Sequence, residues 1–360
     1  MSRCLQLAAN GLGGTYPNPL VGCVIVHQGK IIGEGWHRKA GEPHAEVHAI
    51  DSVRNKALLK KSELYVNLEP CSHHGRTPPC ADLIVKMGVP RVFIGSLDEN
   101  SRVNGAGVAR LERSGCQVTV GILEKECREL NRRFFTFHRR KRPYIILKWA
   151  ETADEYIFPA EDQVTEGGPV WISNTYSRQL VHKWRAEEEA ILVGTRTMEQ
   201  DDPSLTVREV KGKPILRLVI DRQGRSSWQS KVFQGEFRTV VFADKSNSRR
   251  QIPEELKNNV RIIGLDFGAS LATQIVDFLF EEEVQSLIVE GGAVTLNAFI
   301  EAGLWDEARV FRGNVLFEEG LGAPKLSSMP EKEVSILGDR LLYYRNDPED
   351  GTSGSIKNRT

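Results

Sequence analysis

Residues 69 to 80, "EPCSHHGRTPPC", bring two cysteines and two histidines into twelve positions. Thiols and imidazoles at that density suit a zinc ion, which takes cysteine sulfur and histidine nitrogen as ligands. They also suit a disulfide-closed loop. Upstream, "PHAEVH" (43–48) adds His44, Glu46 and His48. On a helix His44 and His48, four apart, could face one metal. The zinc-protease arrangement, however, places glutamate directly after the first histidine, and here Glu46 comes two after it. Cys71 and Cys80 with one imidazole would hold zinc and leave a fourth position for water, as a catalytic site requires. Water bound there ionises near a pH of about 7. The structural alternative is a Cys2His2 knot joining the cysteines to His44 or His48 and to His73 or His74. His73 and His74 lie too close to Cys71 to close a comfortable tetrahedron with both cysteines.

His44-Ala45-Glu46 and Pro70-Cys71…Cys80 match the two halves of the zinc deaminase pattern, His-x-Glu and Pro-Cys…Cys. The general pattern puts two residues between the cysteines, whereas this chain has eight. In such a site the unligated glutamate carries a proton from water to the ring and then to the departing amine. Helix geometry alone does not place Glu46 beside His44, because i and i+2 point to different sides. Proline before each cysteine favours a turn into a helix, whose amino terminus stabilises a thiolate.

The chain that must position these groups has 360 residues, enough for two or more domains. Lysine plus arginine equal aspartate plus glutamate at 48 each, so no global field draws it to nucleic acid or membrane. Six cysteines are few for this length, no secretory signal accompanies them, and only Cys71 and Cys80 cluster, which favours metal over disulfides. The expectation is a cytoplasmic protein with no membrane span. Helical and strand patterns alternate: a helix over 2–12, a hairpin around residues 27–29, a helix over "GEPHAEVHAIDSVRN", and a strand at 62–68. A helix over 80–87 and a strand at 91–97 follow, then a helix and strand ending near Val120. The basic stretch "RELNRRFFTFHRRKRP" reads as a helix end and interdomain connector rather than a nucleic-acid arm. A second α/β region runs from "PYIILKWA" (143–150) to "SLIVE" (286–290) and "GGAVTLNAFIEAG". "NGAGVARLERSG" offers Gly105-x-Gly107 before a helix, but position 110 is arginine, so it reads as a turn and not a dinucleotide fingerprint.

"TYPNPLVGCVIV", "HAEVHA", "LYVNLEPCSHHGRTPPC", "LNRRFF", "PYIILKWAETAD", "WISN", "HKWRAEEEAILVGTRTMEQDDPSLTVR" and "LIVEGGAVTLNAFIEAGLWDEARV" together resemble the bifunctional riboflavin-biosynthesis deaminase/reductase family, in order, over about residues 2 to 345. The long spacing between the cysteines is usual in that family. The resemblance implies an α/β protein of two domains. One is a cytidine-deaminase-like three-layer α/β/α sheet over 1–142, the other a dihydrofolate-reductase-like α/β domain over 143–345, with a polar, disordered tail at 346–360. It implies hydrolytic deamination of 2,5-diamino-6-ribosylamino-4(3H)-pyrimidinone 5′-phosphate with a zinc-activated water, then NADPH reduction of the ribosyl to the ribityl chain. His44, Cys71 and Cys80 become the ligands of one Zn2+, and Glu46 the catalytic proton carrier. Asn18, His74 and Arg76 fall at the deaminase substrate. Ala150, Trp171, Thr197 and Asp201 fall at the NADPH, together with Gly291 and Gly292, whose position between a strand and a helix suits a phosphate. Arg185, Leu205, Arg208 and Glu290 fall at the reductase substrate, where each arginine could grip a phosphate through a bidentate fork.

The partner implied is the phosphorylated ribosylaminopyrimidine, with no nucleic acid and no membrane; a homo-oligomer is left open. The chain departs from the family at "DENS" (98–101), where Glu99 and Ser101 stand in place of the two prolines of Asp-Pro-Asn-Pro, at Ala106, where a basic residue is usual, and at Glu155, where glycine is usual. A nucleic-acid or nucleoside deaminase shares the motif but leaves the second domain unexplained. A non-catalytic zinc-stabilised binding protein would have no use for Glu46.

Overall fold

The computed structural model describes residues 1–73, 78–99, 105–160, 170–207 and 212–346. His74, Arg76, Ser101 and Arg208, and the tail beyond Asn346, lie outside them. The chain divides into two compact units. The first comprises Met1–Pro143 with Leu279–Gln285, the second Tyr144–Phe278 and the chain from Ser286 on.

In the first unit the chain runs α1 (Ser2–Ala9), β1 (Gly22–His27), β2 (Lys30–Trp36), α2 (Ala45–Ser52), β3 (Glu63–Leu68) and α3 (Cys80–Met87). It continues through β4 (Arg91–Ser96), α4 (Ala106–Arg113), β5 (Gln117–Val120), α5 (Glu124–Leu130) and α6 (Arg132–Arg140). The sheet order is β2-β1-β3-β4-β5; β1 is antiparallel to both neighbours, and β3, β4 and β5 are parallel. Alternation along the strands sorts their side chains to two faces. Cys23, Ile25, Leu64, Val66, Val92 and Ile94 face α2, α3 and α4, while Val24 and Tyr65 face α1. The result is a three-layer α/β/α sandwich.

Two elements differ from the sequence expectation. Only Cys80 opens a helix, with Pro79 as its N-cap; Cys71 lies in the loop after β3. The basic stretch is not a connector but two helices, α5 and α6. Its aromatic rings Phe134, Phe135 and Phe137 are buried, so the interleaving of rings and cations is helix amphipathicity and not a nucleic-acid surface.

The second unit comprises β6 (Tyr144–Glu151), β7 (Tyr156–Pro159), α7 (Thr175–Glu187), β8 (Ala190–Val193), α8 (Thr195–Asp201), β9 (Leu216–Ile220), β10 (Thr239–Asp244) and β11 (Val260–Leu265). Then come α9 (Leu271–Glu281), whose last three residues fall in the first unit, β12 (Ser286–Val289), α10 (Ala293–Glu301), β13 (Glu307–Arg312), β14 (Gly320–Gly322), β15 (Lys332–Ile336) and β16 (Asp339–Arg345). Its main sheet has the order β11-β10-β9-β8-β12-β6-β13-β16-β15. The strands from β11 to β13 are parallel, and β16 and β15 close the edge in antiparallel fashion. The loops after β6, β8 and β12 leave neighbouring strands at their carboxyl ends. That edge is where open α/β sheets bind ligands. No helix among the described residues is long and apolar enough to cross a membrane.

Candidate active site

In the first unit α2 is the element that aims the chemistry. It lies unusually close to β2 because Gly33 and Gly35, two apart on one face, present no side chain to it. A Cβ on Gly35 would stand 2.5 Å from the Ala49 nitrogen, and one on Gly33 2.5 Å from the Ala49 oxygen. His44 is the N-cap of α2, with extended backbone (φ −75°, ψ 169°), so it does not follow helical side-chain directions. That is how His44 and Glu46 come to share one cleft although helix spacing would part them.

His44 Nδ1 lies 3.6 Å from Cys71 Sγ and 3.4 Å from Cys80 Sγ. The three ligand atoms all lie within 4.8 Å of one another, the one such group among the described residues. The Cys80 N–H donates to Cys71 Sγ at 3.3 Å, and the Ala81 N–H to the Cys71 carbonyl at 3.1 Å. The first turn of α3 therefore holds Cys71 as well as supplying Cys80. The Cys71 thiol is driven well below its ordinary value by the Cys80 thiol, with His44 adding to the effect against burial. Glu46 is buried, and burial pushes its carboxyl up to about 7; its Oε2 has no hydrogen-bond partner. One imidazole nitrogen and two sulfurs that converge, with a buried carboxylate oxygen left unsatisfied beside them, fit a catalytic zinc that keeps an open position.

His44, Glu46 and Cys71 line a cleft of about 670 Å3 that is also lined by Asn18, His37, His73 and Asp98. His48 is not in the metal group, and its Nε2 lacks a partner. His73 lines the cleft and is not in the converging group of His44, Cys71 and Cys80.

Sequence reasoning missed three residues that shape this cleft. His37 is buried; its Nδ1 lies 3.2 Å from the Pro43 carbonyl and its Nε2 3.0 Å from Asn18 Nδ2. With Nδ1–H donating, Nε2 accepts from the Asn18 amide and holds it in place, and burial lowers the His37 pKa, which favours this neutral form. Asn131 clasps Leu20 in both directions, accepting from its N–H at 2.7 Å and donating to its carbonyl at 2.9 Å. Glu69 sits directly before Pro70-Cys71 and is buried. Asn131 falls within "LNRRFF" and Glu69 opens "EPCSHHGRTPPC", but the sequence assigns neither a role there, and nothing marks His37.

In the second unit several of the predicted residues, Ala150, Thr197, Asp201 and Glu290 to Gly292, lie on the segments at the carboxyl ends of β6, β8 and β12. Ala150 is the next-to-last residue of β6, Thr197 and Asp201 lie on α8, and Glu290, Gly291 and Gly292 bridge β12 to α10. Gly292 is the N-cap of α10. Side chains are excluded between these loops, since a Cβ on Gly194 would lie 2.5 Å from Thr295 Oγ1 and one on Gly291 2.7 Å from Thr295 Cβ. The Arg185 guanidinium makes a two-pronged pair with Glu290, at 3.0 and 2.8 Å, and Lys148 Nζ approaches the same carboxylate at 3.5 Å. The fork expected to be open for a phosphate is thus already engaged. Burial would raise the Glu290 carboxyl, but Arg185 and Lys148 outweigh it and hold it at about 2. Burial raises the Asp201 carboxyl, with Lys148 opposing. Leu205 is buried with φ +50°, and Trp171 is exposed beneath the Arg178 guanidinium, 4.3 Å from its ring centre.

Two of the departures from the family pattern have physical counterparts. Glu99 pairs with Arg128 and Arg139, charges that tie down a position where proline would restrain the chain. Glu155 adopts φ +67°, the conformation for which glycine is usual, and its carboxylate pairs with Arg312 at 3.0 Å. Ala106 opens α4.

Residues 1–96 match the cytidine and deoxycytidylate deaminase zinc-binding region, and residues 143–325 match the RibD C-terminal domain. The chain is 40% identical over 354 residues to riboflavin biosynthesis protein RibD of Aquifex aeolicus, covering 96% of both chains. It is 37% identical over 367 residues to that of Escherichia coli, covering 96% and 97%. Among solved structures, the diaminohydroxyphosphoribosylaminopyrimidine deaminase/5-amino-6-(5-phosphoribosylamino)uracil reductase of Thermotoga maritima superposes with a TM-score of 0.83 at 35% identity, covering 96% and 97%. Acinetobacter baumannii RibD gives 0.82 at 30%, covering 95% and 96%. The chain belongs to the RibD family of bifunctional riboflavin-biosynthesis enzymes, with a deaminase domain followed by a reductase domain.

Proposed function

We propose that the first unit hydrolyses the exocyclic amine of 2,5-diamino-6-ribosylamino-4(3H)-pyrimidinone 5′-phosphate, and that the second reduces the ribosyl chain of the product to ribityl with NADPH. The observation that carries the first half is the convergence of His44 Nδ1 and the two sulfurs beside buried Glu46. His44, Cys71 and Cys80 would hold one zinc ion, which when bound supplies a Lewis acid that acidifies water to a pKa of about 7. Glu46 Oε2, with no partner of its own, is the atom available to take a proton from that water and return it to the ring and the leaving amine. Asn18, held by His37, offers an oriented amide to the pyrimidine. Burial of these groups in a cleft excludes bulk water from the exchanged proton.

For the second half, the first turn of α10 after Gly291 and Gly292 leaves backbone N–H groups directed at an anion, and Ala150, Thr197 and Asp201 lie at the same sheet edge. Trp171, exposed, would cover the cofactor. Glu290, fixed as a carboxylate by Arg185 and Lys148, would accept hydroxyl groups of the ribosyl chain, and Leu205 would pack against that chain. Hydride transfer belongs to the cofactor, and these residues orient it. The substrate is a soluble small molecule.

Ammonia release from the diamino compound and NADPH oxidation by the deaminated compound, measured separately on one preparation, test both halves. Both signals are expected. Ammonia release from cytidine or single-stranded nucleic acid, with none from the diamino compound, would refute the substrate assignment.

A further inference from the structure

Glu69 is the last residue before Pro70-Cys71, and its side chain is buried where β3 meets the cleft. Its Oε1 accepts the N–H of Gly107 at 2.8 Å and of Val108 at 3.2 Å; its Oε2 accepts those of Gly105 at 3.0 Å and Asp98 at 3.2 Å. A carboxylate has about four acceptor positions, so both oxygens are saturated by backbone donors. Glu69 therefore has nothing left with which to ligate a metal or carry a proton. Its own N–H donates to the Ser96 carbonyl at 3.0 Å, which ties the same residue to the end of β4.

The fit around it is close on every side. Gly105 takes φ +83° as the N-cap of α4, turning the first N–H groups of that helix toward the carboxylate. A Cβ on Gly107 would stand 2.1 Å from the Pro70 carbonyl oxygen and 3.1 Å from Glu69 Oε1. From the other direction the first turn of α3 holds Cys71 through its carbonyl and its sulfur. The two-residue link from Glu69 to Cys71 is thus pinned at both ends, by α4 and by α3.

We propose that Glu69 is a positioning residue for the deaminase centre: its carboxylate fixes the Pro70–Cys71 backbone against α4 and thereby sets where the Cys71 sulfur stands relative to His44 and Cys80. This rests on Cys71 being a metal ligand. Groups that orient ligands from outside the coordination sphere are as necessary to a metal site as the ligands themselves. Glu69→Gln is the direct perturbation, because the amide keeps one acceptor oxygen and turns an NH2 donor toward backbone donors. Gly107→Ala presses from α4 on the Pro70 carbonyl and on Glu69 Oε1 without altering any charge.

The full-length protein is loaded with Co2+ and its thiolate-to-cobalt charge-transfer band and visible bands are recorded, with limited proteolysis to report folding of the deaminase unit. Deaminase kcat and KM are measured on the zinc-loaded protein, with reductase turnover in the same preparation as the internal control. Both variants are expected to stay folded, to shift the cobalt bands, and to lose about 10–100-fold in deaminase kcat with KM and reductase turnover unchanged. A wild-type protein with no thiolate-to-cobalt band overturns the ligand assignment, and this inference with it. With that band present in the wild type, folded variants whose bands are unshifted overturn the role of Glu69 alone, whatever their kcat. Unfolding of the deaminase unit in both variants, or unfolding of Glu69→Gln beside an unshifted Gly107→Ala, also overturns it, since Glu69 would then support the fold and not the sulfur.

Discussion

Arg185→Met removes the guanidinium that grips Glu290 and leaves Lys148, among the described residues, as the remaining cation paired with that carboxylate (3.5 Å). Both members of the pair are shielded, with side chains 13% and 9% exposed, so solvent cannot replace the lost partner. The Glu290 carboxyl stands at about 2 against its ordinary 4.5. At about 1.4 kcal/mol for each factor of ten, that gap corresponds to about 3 kcal/mol. Loss of one partner from a buried pair costs about 3–5 kcal/mol in general, so the two routes agree. A depressed folded-state value means that this stabilisation is complete above a pH of about 4.5 and drains away as pH falls toward about 2. Urea unfolding followed by tryptophan fluorescence reads the effect, because five of the six tryptophans (Trp149, Trp171, Trp184, Trp228 and Trp305) belong to the second unit. At pH 7 the variant should lose about 3 kcal/mol, and the double change Arg185→Met with Glu290→Gln should recover much of it by removing the stranded charge. A loss below about 1 kcal/mol would be that of a solvent-exposed pair and would refute the reasoning.

Gly35→Ala should force α2 away from β2, because the added Cβ meets backbone and not a flexible side chain; thermal unfolding should show a cost of about 1–3 kcal/mol, with deamination lost and reductase turnover kept. Glu155→Gly should relieve a left-handed backbone worth about 1 kcal/mol while giving up an exposed pair worth less than that, so the melting temperature should hold or rise. His37→Ala should free the Asn18 amide and raise the deaminase KM more than it lowers kcat, with no change in zinc content.

The convergence of His44, Cys71 and Cys80 beside Glu46 was legible from sequence because these residue types in a fixed order carry their chemistry with them. What the sequence left open was how Glu46 could reach the cleft beside His44. The answer is a backbone matter, since His44 stands before the helix as its N-cap and escapes the i, i+2 restriction. The His73-His74 pair drew attention by composition alone, yet His73 stands apart from the ligands. The roles of Glu69 and His37 could not be read from the sequence because their partners are chosen by the fold: Glu69, although inside the cysteine motif, reaches residues 29 to 39 positions later. Except for α5 and α6, which read in sequence as a helix end and connector, and β7 and α8, which do not emerge from it, the alternating strands and helices up to α10 followed from periodicity. β13, β15 and β16 did not, and β13 shows why: Glu307 and Arg309 are buried and pair with each other at 2.6 Å, so its inward face looks polar in sequence. In the reductase half the strand–Gly-Gly–helix arrangement was readable, but the closure of Arg185 on Glu290 joins residues 105 positions apart and was not.

The most direct test of the account is Glu46→Gln in the full-length protein, with zinc content, ammonia release and NADPH oxidation measured together. The glutamine fills the same space and cannot carry the proton. Zinc should remain at one per chain and NADPH oxidation of the deaminated compound should be unchanged, while ammonia release falls by about 10²–10⁴-fold. Ammonia release at the wild-type rate would contradict the role given to Glu46, and loss of zinc together with the fold would make this carboxylate a structural group.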